Sequence, residues 1–258
     1  MKRMHVGIAG AGLLGRLLAW QLSARGHQVS VFDPSPDGVS RAPGTAYAAG
    51  WTAAGMLSPL AELECADARV AQYGLRSLDL WQDTVSRLPG SIDFRRQGSL
   101  LLAHRPDVGA AQRILDVLRA KAPGAHFPRS ITLPDLRQME PSIHGPAHAW
   151  LLEQEGQIHT VQTMLALADG ATRQGAQWHW GHPVERLGPG VLEAGGASHR
   201  FDWVFDVRGI GARPDLPVRG VRGEVFWLHA PGVLLGRPVR LLHPRWRVYI
   251  VPRPGEPY

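Results

Sequence analysis

Gly10, Gly12, Gly15 and Asp33 have the types and the spacing to receive a nucleotide's phosphates and sugar. Glycine at position 10 permits a tight turn off a strand. Glycine at 12 removes the side chain that would keep a pyrophosphate from the backbone, and glycine at 15 lets a helix pack close on a sheet. Asp33 stands 23 residues past Gly10, where a carboxylate accepts hydrogen bonds from a ribose 2′-OH; an acid there selects a hydroxyl over a 2′-phosphate.

Such glycines mean little without the elements that position them. Here His5–Ala9 reads as a short buried strand, and an apolar helix runs from the glycines to about Arg25. Gln28–Phe32 is a second strand, ending at Asp33. Strand, glycine loop, helix, strand and acid together form the dinucleotide-binding fingerprint, with free helix N–H groups and the positive end of the helix dipole turned to the phosphates. The fingerprint leaves open whether the nucleotide is NAD or FAD.

Other candidate chemistry is weaker. His179 and His182 lie three apart next to a predicted strand, so they point to opposite faces, and no carboxylate cluster accompanies them; no metal site is expected. There is no G-x-S-x-G and no other nucleophile arrangement. Asp206 and Glu224 read as isolated acids. The net charge of +6 comes mostly from scattered arginines, without a block of like charge, so a nucleic-acid partner is not expected, while a basic field would help to attract an anionic substrate. Cys65 is the single cysteine, which excludes an internal disulfide framework and a cysteine zinc site and fits a reducing compartment. It reads as a small buried apolar group. The start, Met1-Lys2-Arg3 before an apolar run, resembles a signal peptide, but Arg16 interrupts the run. No stretch reaches the roughly 18 apolar residues of a membrane span, so the chain reads as cytoplasmic.

Along the chain, Pro34–Gly50 is a long loop rich in small residues, leading into Trp51–Glu62, where small residues let backbone come close to something flat and bulky. Helices are expected at 66–88, 106–122, 133–140 and 160–175, the last capped by Thr160 and burying Met164, Leu165, Leu167 and Ala168. Strands are expected at 92–103 with a turn near Gly98, and at 148–152, 177–180, 203–207, 223–229, 239–242 and 247–251. A hairpin around Gly195-Gly196 joins 191–194 to 199–201. The fold class is α/β: a Rossmann-like nucleotide-binding domain interleaved with a smaller α+β domain on an antiparallel sheet. The expected division is 1–90 plus 142–215 for the first and 91–141 plus 216–258 for the second. A last strand entering the turn Pro252–Gly255 calls for a returning partner, so the fold is expected to continue past Tyr258. An exposed β edge and nine tryptophans leave a homo-oligomer open.

Several segments occur in a characteristic order: the fingerprint with Asp33, Trp51–Leu57, Glu155–Ile158, Asp206–Arg213, Arg222–Glu224 and Val248–Arg253. In this the chain resembles the D-amino-acid-oxidase-type FAD oxidoreductases, above all the glycine-oxidase branch tied to thiamine biosynthesis. The resemblance implies FAD. It puts Leu13 and Leu14 at the pyrophosphate turn and Asp33 at the adenosine ribose. It puts Ala49, Gly50, Ala54, Gly55 and Met56 along the flavin, the backbone of Val184 at the adenine, and Tyr249 at the substrate pocket. The implied reaction is oxidation of a small amino acid or amine (glycine, sarcosine or a D-amino acid), with a hydride passing from the α-carbon to flavin N5 and O2 reoxidising the flavin to give peroxide. The family's carboxylate-binding arginine and last flavin-binding loop match positions beyond Tyr258, so turnover by this chain is left open. Two other readings stand beside it: an NAD-linked dehydrogenase, and a flavoprotein fragment without turnover.

Overall fold

The computed structural model describes residues 2–39, 47–124 and 126–253. The first strands are β1 (His5–Ala9), β2 (Gln28–Asp33), β3 (Met56–Leu57), β4 (Phe94–Arg95) and β5 (Ser99–Ala103). Then come β6 (Arg129–Ile131), β7 (His148–Leu152), β8 (Gly156–Ile158), β9 (Gln177–Trp180) and β10 (Val184–Gly188). The last are β11 (Val191–Ala194), β12 (Ala197–Arg200), β13 (Trp203–Asp206), β14 (Val239–Leu242) and β15 (Arg247–Ile250). The helices are α1 (Leu13–Ser23), α2 (Ala68–Arg87), α3 (Val108–Lys121), α4 (Leu133–Met139) and α5 (Thr160–Arg173), with short 3-10 turns at Ala49–Trp51, Ala61–Glu64, Arg105–Asp107 and Gly209–Ala212.

The chain forms two compact units. The first comprises Met1–Ala53, Leu88–Ile92 and Thr160–Val225; the second comprises Ala54–Arg87, Asp93–His159 and Phe226–Tyr258. This division by contact differs from the expected one at 54–87 and 142–159, which join the second unit, and at 91–92 and 216–225, which join the first. The reason is pairing: β3 bonds to β8, β7 lies between β5 and β6, and the turn at 61–64 packs on the core under β5.

In the first unit, four parallel strands run in the order β13-β1-β2-β9. Val6, Ile8, Val29 and Val31 are at most 1% exposed, as a parallel sheet covered on both faces requires. Helices α1 and α5 pack against each other closely enough that a Cβ on Gly170 would lie 2.9 Å from the Trp20 ring. A second, antiparallel sheet, β10-β11-β12, closes another core around Phe32, Leu192 and Ala194. Since α1 leads from β1 towards β2 while β13 flanks β1 on its other side, the C-terminal end of β1 is the point where strand order reverses.

The second unit holds a five-stranded sheet, β15-β14-β5-β7-β6, and a small one, β3-β8-β4. The two-residue period of β5 sorts its side chains: Leu101 and Ala103 join a core with Leu115 and Leu118 of α3, while Leu100 and Leu102 join one with Leu136 of α4.

Some elements differ from expectation. Gly156–Ile158 and Val184–Gly188, β8 and β10, are strands without a counterpart among the expected ones. Residues 223–229 form no strand, because nothing among the described residues lies alongside to complete a ladder. Leu165 faces outward at 42% exposure. The Thr160 hydroxyl donates to the Ala53 carbonyl at 2.9 Å, tying the start of α5 to the chain before β3. Cys65 is exposed. The middle of the loop after Asp33, residues 40–46, and residues 254 and 255 of the expected turn at 252–255 lie outside the described residues. No helix among the described residues is long and apolar enough to cross a membrane.

Candidate functional site

The fingerprint adopts the geometry its glycines permit. Gly10 has φ +105°, and a Cβ there would sit 2.8 Å from the Val207 carbonyl oxygen. A Cβ on Gly15 would fall 1.9 Å from the Gly10 carbonyl oxygen, so the first turn of α1 presses on the loop. Gly12 is different: among the described residues a Cβ there would meet only Ala48, at 3.4 Å, an ordinary contact. The packing of the described residues therefore does not demand glycine at 12, whereas a pyrophosphate lying against the backbone would.

Gly12 is the N-cap of α1, and neither a capping side chain nor an acid in the first turn satisfies the helix N–H groups. Leu13 and Leu14 start the helix with 38% and 55% exposure, and no capping side chain among the described residues takes the N–H groups of this turn. Open N–H donors at a dipole's positive end are what a phosphate takes. Asp33 closes the other side. Its Oδ2 accepts from the Ala11 N–H at 2.6 Å and its Oδ1 from the Ser35 N–H at 2.9 Å. A carboxylate has about four acceptor sites, so two amides leave capacity for ribose hydroxyls. The donors, the missing Cβ and the acid fit a dinucleotide.

Further expected residues of the first unit gather near this loop. Ala49 and Gly50 form a 3-10 turn, and a Cβ on Gly50 would reach Met164 Sδ at 3.0 Å and Leu13 Cβ at 3.4 Å. Val184 opens β10 and packs beside Phe32; its carbonyl accepts from Arg208 Nη1 at 3.3 Å. Ala54, Gly55 and Met56 belong to the second unit. Gly55 has φ +83° and its carbonyl accepts from the Ile158 N–H at 2.8 Å, while Met56 pairs with Gln157 across β3 and β8. Tyr249 on β15 lies opposite Arg240, whose guanidinium sits 5.4 Å over the ring and is paired with Glu64.

The structure also supplies what the sequence reading missed. Asp206 is not isolated: Arg208 binds it at 2.8 Å and Asp215 at 3.0 Å, and the hydrogen bond from Arg208 holds the Asp206 carboxyl below its ordinary range. Glu224 pairs with Arg222 at 2.6 Å. Both partners stand two residues from the acid, a spacing that signals nothing on a helix and, outside an expected strand, carries no pairing signal of its own. Glu155 is buried, accepting from the Ala61 amide at 2.7 Å, the Leu60 amide at 3.1 Å and the Ser99 hydroxyl. Burial pushes its carboxyl up to about 7, against those hydrogen bonds. His179 stacks on Phe32 at 4.2 Å and stands 6.1 Å from the His182 ring; burial holds its pKa down, helped by His199 and His182. No group of three metal-ligating side chains occurs among the described residues.

A phosphate-ready loop at the switch point of a parallel sheet, with an acid ending the next strand, defines an adenine-dinucleotide-binding protein. The chain belongs to the FAD-dependent oxidoreductase (DAO) family, which it matches over residues 5–257. That family is FAD-dependent, which resolves the choice the fingerprint left open. A Rhizobium etli protein described as a thiamine biosynthesis oxidoreductase, ThiO, is 33% identical over 252 residues, 97% of this chain and 68% of that one. Glycine oxidase from Geobacillus kaustophilus shares the fold with a TM-score of 0.67 at 22% identity, over 83% of this chain and 57% of that one. Glycine oxidase from Bacillus cereus has a TM-score of 0.69 at 19% identity, over 98% of this chain and 69% of that one. The chain thus spans between about half and two thirds of these relatives' length.

Proposed function

We propose that this chain belongs to an FAD-dependent amine or amino-acid oxidase acting on glycine, sarcosine or a small D-amino acid, with a role in thiamine biosynthesis. The observation that carries it is the family match over almost the whole chain, together with 33% identity to a thiamine biosynthesis oxidoreductase.

In this reading the amides of Leu13 and Leu14 take the pyrophosphate across the gap left at Gly12. Asp33 orients the adenosine ribose, and the Val184 backbone meets the adenine. Ala49, Gly50, Ala54, Gly55 and Met56 admit the flavin because they lack bulk or, for Met56, because a flexible thioether adapts its shape. Bound FAD supplies the acceptor for a hydride from the substrate α-carbon and returns the electrons to O2 as hydrogen peroxide. If the amine enters neutral, no protein acid or base is required. Tyr249 borders the substrate, with its ring held against Arg240.

The test is peroxide formation by FAD-loaded protein with glycine, sarcosine and small D-amino acids. The expected result is peroxide in proportion to amine consumed with at least one of them. FAD-loaded protein whose flavin no such amine bleaches under anaerobic conditions contradicts the reading.

A further inference from the structure

We infer that Arg16 is a positioning residue for the ADP half of the cofactor, its buried guanidinium tying the glycine loop, the segment after β2 and helix α5 into one preformed cradle. The inference rests on the FAD reading and concerns a residue outside the fingerprint's own positions.

Arg16 follows Gly15 in the first turn of α1 and is only 1% exposed. A helical side chain leans towards its own N-terminus, which carries this one back under the loop it follows. Nε donates to the Ala11 carbonyl at 2.8 Å, Nη1 to the Met164 carbonyl at 2.9 Å and Nη2 to the Gly38 carbonyl at 2.8 Å. Three indoles surround the cation, with Trp51 at 4.9 Å, Trp180 at 5.6 Å and Trp178 at 6.0 Å from it. Trp178 and Trp180 stack 4° from parallel, and Trp180 also packs where a Cβ on Gly38 would come within 3.0 Å of it.

The Ala11 peptide is clamped as a result: its N–H goes to Asp33 and its C=O to Arg16. Gly38 is five residues past Asp33, so the same guanidinium ties the glycine loop to the segment that follows the acid. For packing alone this is a poor choice. Burying a cation among neutral carbonyls costs desolvation, and a well-packed apolar side chain is often as stable or more so. Burial does depress the guanidinium, to about 10, but the charge of Asp33 opposes this and it stays protonated at neutral pH. Beside the charge of Asp33, the cation adds positive charge under a loop where a pyrophosphate would bring negative charge.

The test compares Arg16→Met and Arg16→Lys with the wild-type chain. Each deflavinated protein is titrated with FAD and, separately, with ADP, and its folding is followed by circular dichroism and thermal melting without ligand. The inference expects Arg16→Met to weaken FAD and ADP by a similar factor, about tenfold or more. Arg16→Lys, with the charge but not the three-way fork, should fall between. A residue that only supports the fold would lower the melting temperature and leave the ADP affinity of the folded fraction unchanged. Either variant, folded and within about twofold of wild type for both ligands, overturns the inference. If Arg16→Met does not fold, Arg16→Lys alone decides by the same criterion. Wild-type protein that binds FAD but not ADP overturns the inference alone, and wild-type protein that binds neither overturns the cofactor reading with it.

Discussion

The Ala11 amide donates to the Asp33 carboxylate at 2.6 Å, across 22 residues of sequence. The acid expected to meet a ribose thus also holds the loop expected to meet the phosphates. One carboxylate thereby ties the loop proposed to take the phosphates to the strand end proposed to meet the ribose. Charge-assisted bonds of this kind are about twice as strong as neutral ones.

Asp33→Asn should therefore act twice. Losing a hydrogen bond to a charged group costs about 1.5–3 kcal/mol, here shared between the fold and the ligand. The expected outcome is FAD affinity reduced about tenfold or more with a modest fall in the melting temperature of the ligand-free protein. Fluorescence titration with FAD checks it; unchanged affinity would contradict the role given to the acid.

Gly12→Ala and Gly15→Ala should separate ligand from fold. The Gly15 methyl would fall 1.9 Å from the backbone oxygen of Gly10, which no side-chain rotation relieves. Destabilisation of about 1–3 kcal/mol or more is expected. Among the described residues the Gly12 methyl meets only Ala48 at 3.4 Å. Ligand-free stability should stay within about 0.5 kcal/mol while FAD binding weakens sharply. Denaturation curves and FAD titrations of both variants give the comparison.

Glu155 should make stability pH-dependent. Its folded pKa is raised to about 7 from 4.5, so the folded chain holds the proton more tightly than the unfolded one. Its contribution is fully present below the unfolded pKa, declines as pH rises from 4.5 to about 7 and is level above that. The total is on the order of 3 kcal/mol at most. Glu155→Gln keeps the acceptor for Leu60 and Ala61 but does not ionise. The gap between variant and wild type in urea denaturation should shift in the variant's favour between pH 5 and pH 8. A constant gap would contradict the burial of an ionisable group there.

Tyr249→Phe keeps the ring against Arg240, so folding and FAD content should not change. Loss of one hydrogen bond of about 0.5–1.5 kcal/mol to a substrate should raise KM between about twofold and tenfold. Steady-state kinetics on the amine that gives peroxide measures it. An unchanged kcat/KM would remove Tyr249 from the pocket.

The segments legible in the sequence are those whose signal is local. The alternation and glycine spacing of 5–33 carried β1, α1 and β2, and the apolar run at 203–207 carried β13. The role of Arg16 was not legible, because two of its three carbonyl partners are 22 and 148 residues away. There it merely broke an apolar run. The strand β8 was hidden because three residues after a turn have too little periodicity to show, and its partners at Met56 and Phe94 are remote. Residues 223–229 misled in the opposite direction: they have the composition of a strand, but a strand exists only where a neighbour completes its ladder.

The central claim is that the glycine loop and Asp33 hold FAD. The direct measurement is titration of the deflavinated chain with FAD, alongside Gly12→Val, with bound flavin read by its quenched fluorescence and visible spectrum. The account predicts saturation at one FAD per wild-type chain, with binding abolished in a Gly12→Val protein that keeps its fold. Undiminished FAD binding by the folded Gly12→Val protein, or none by the wild type, would contradict it.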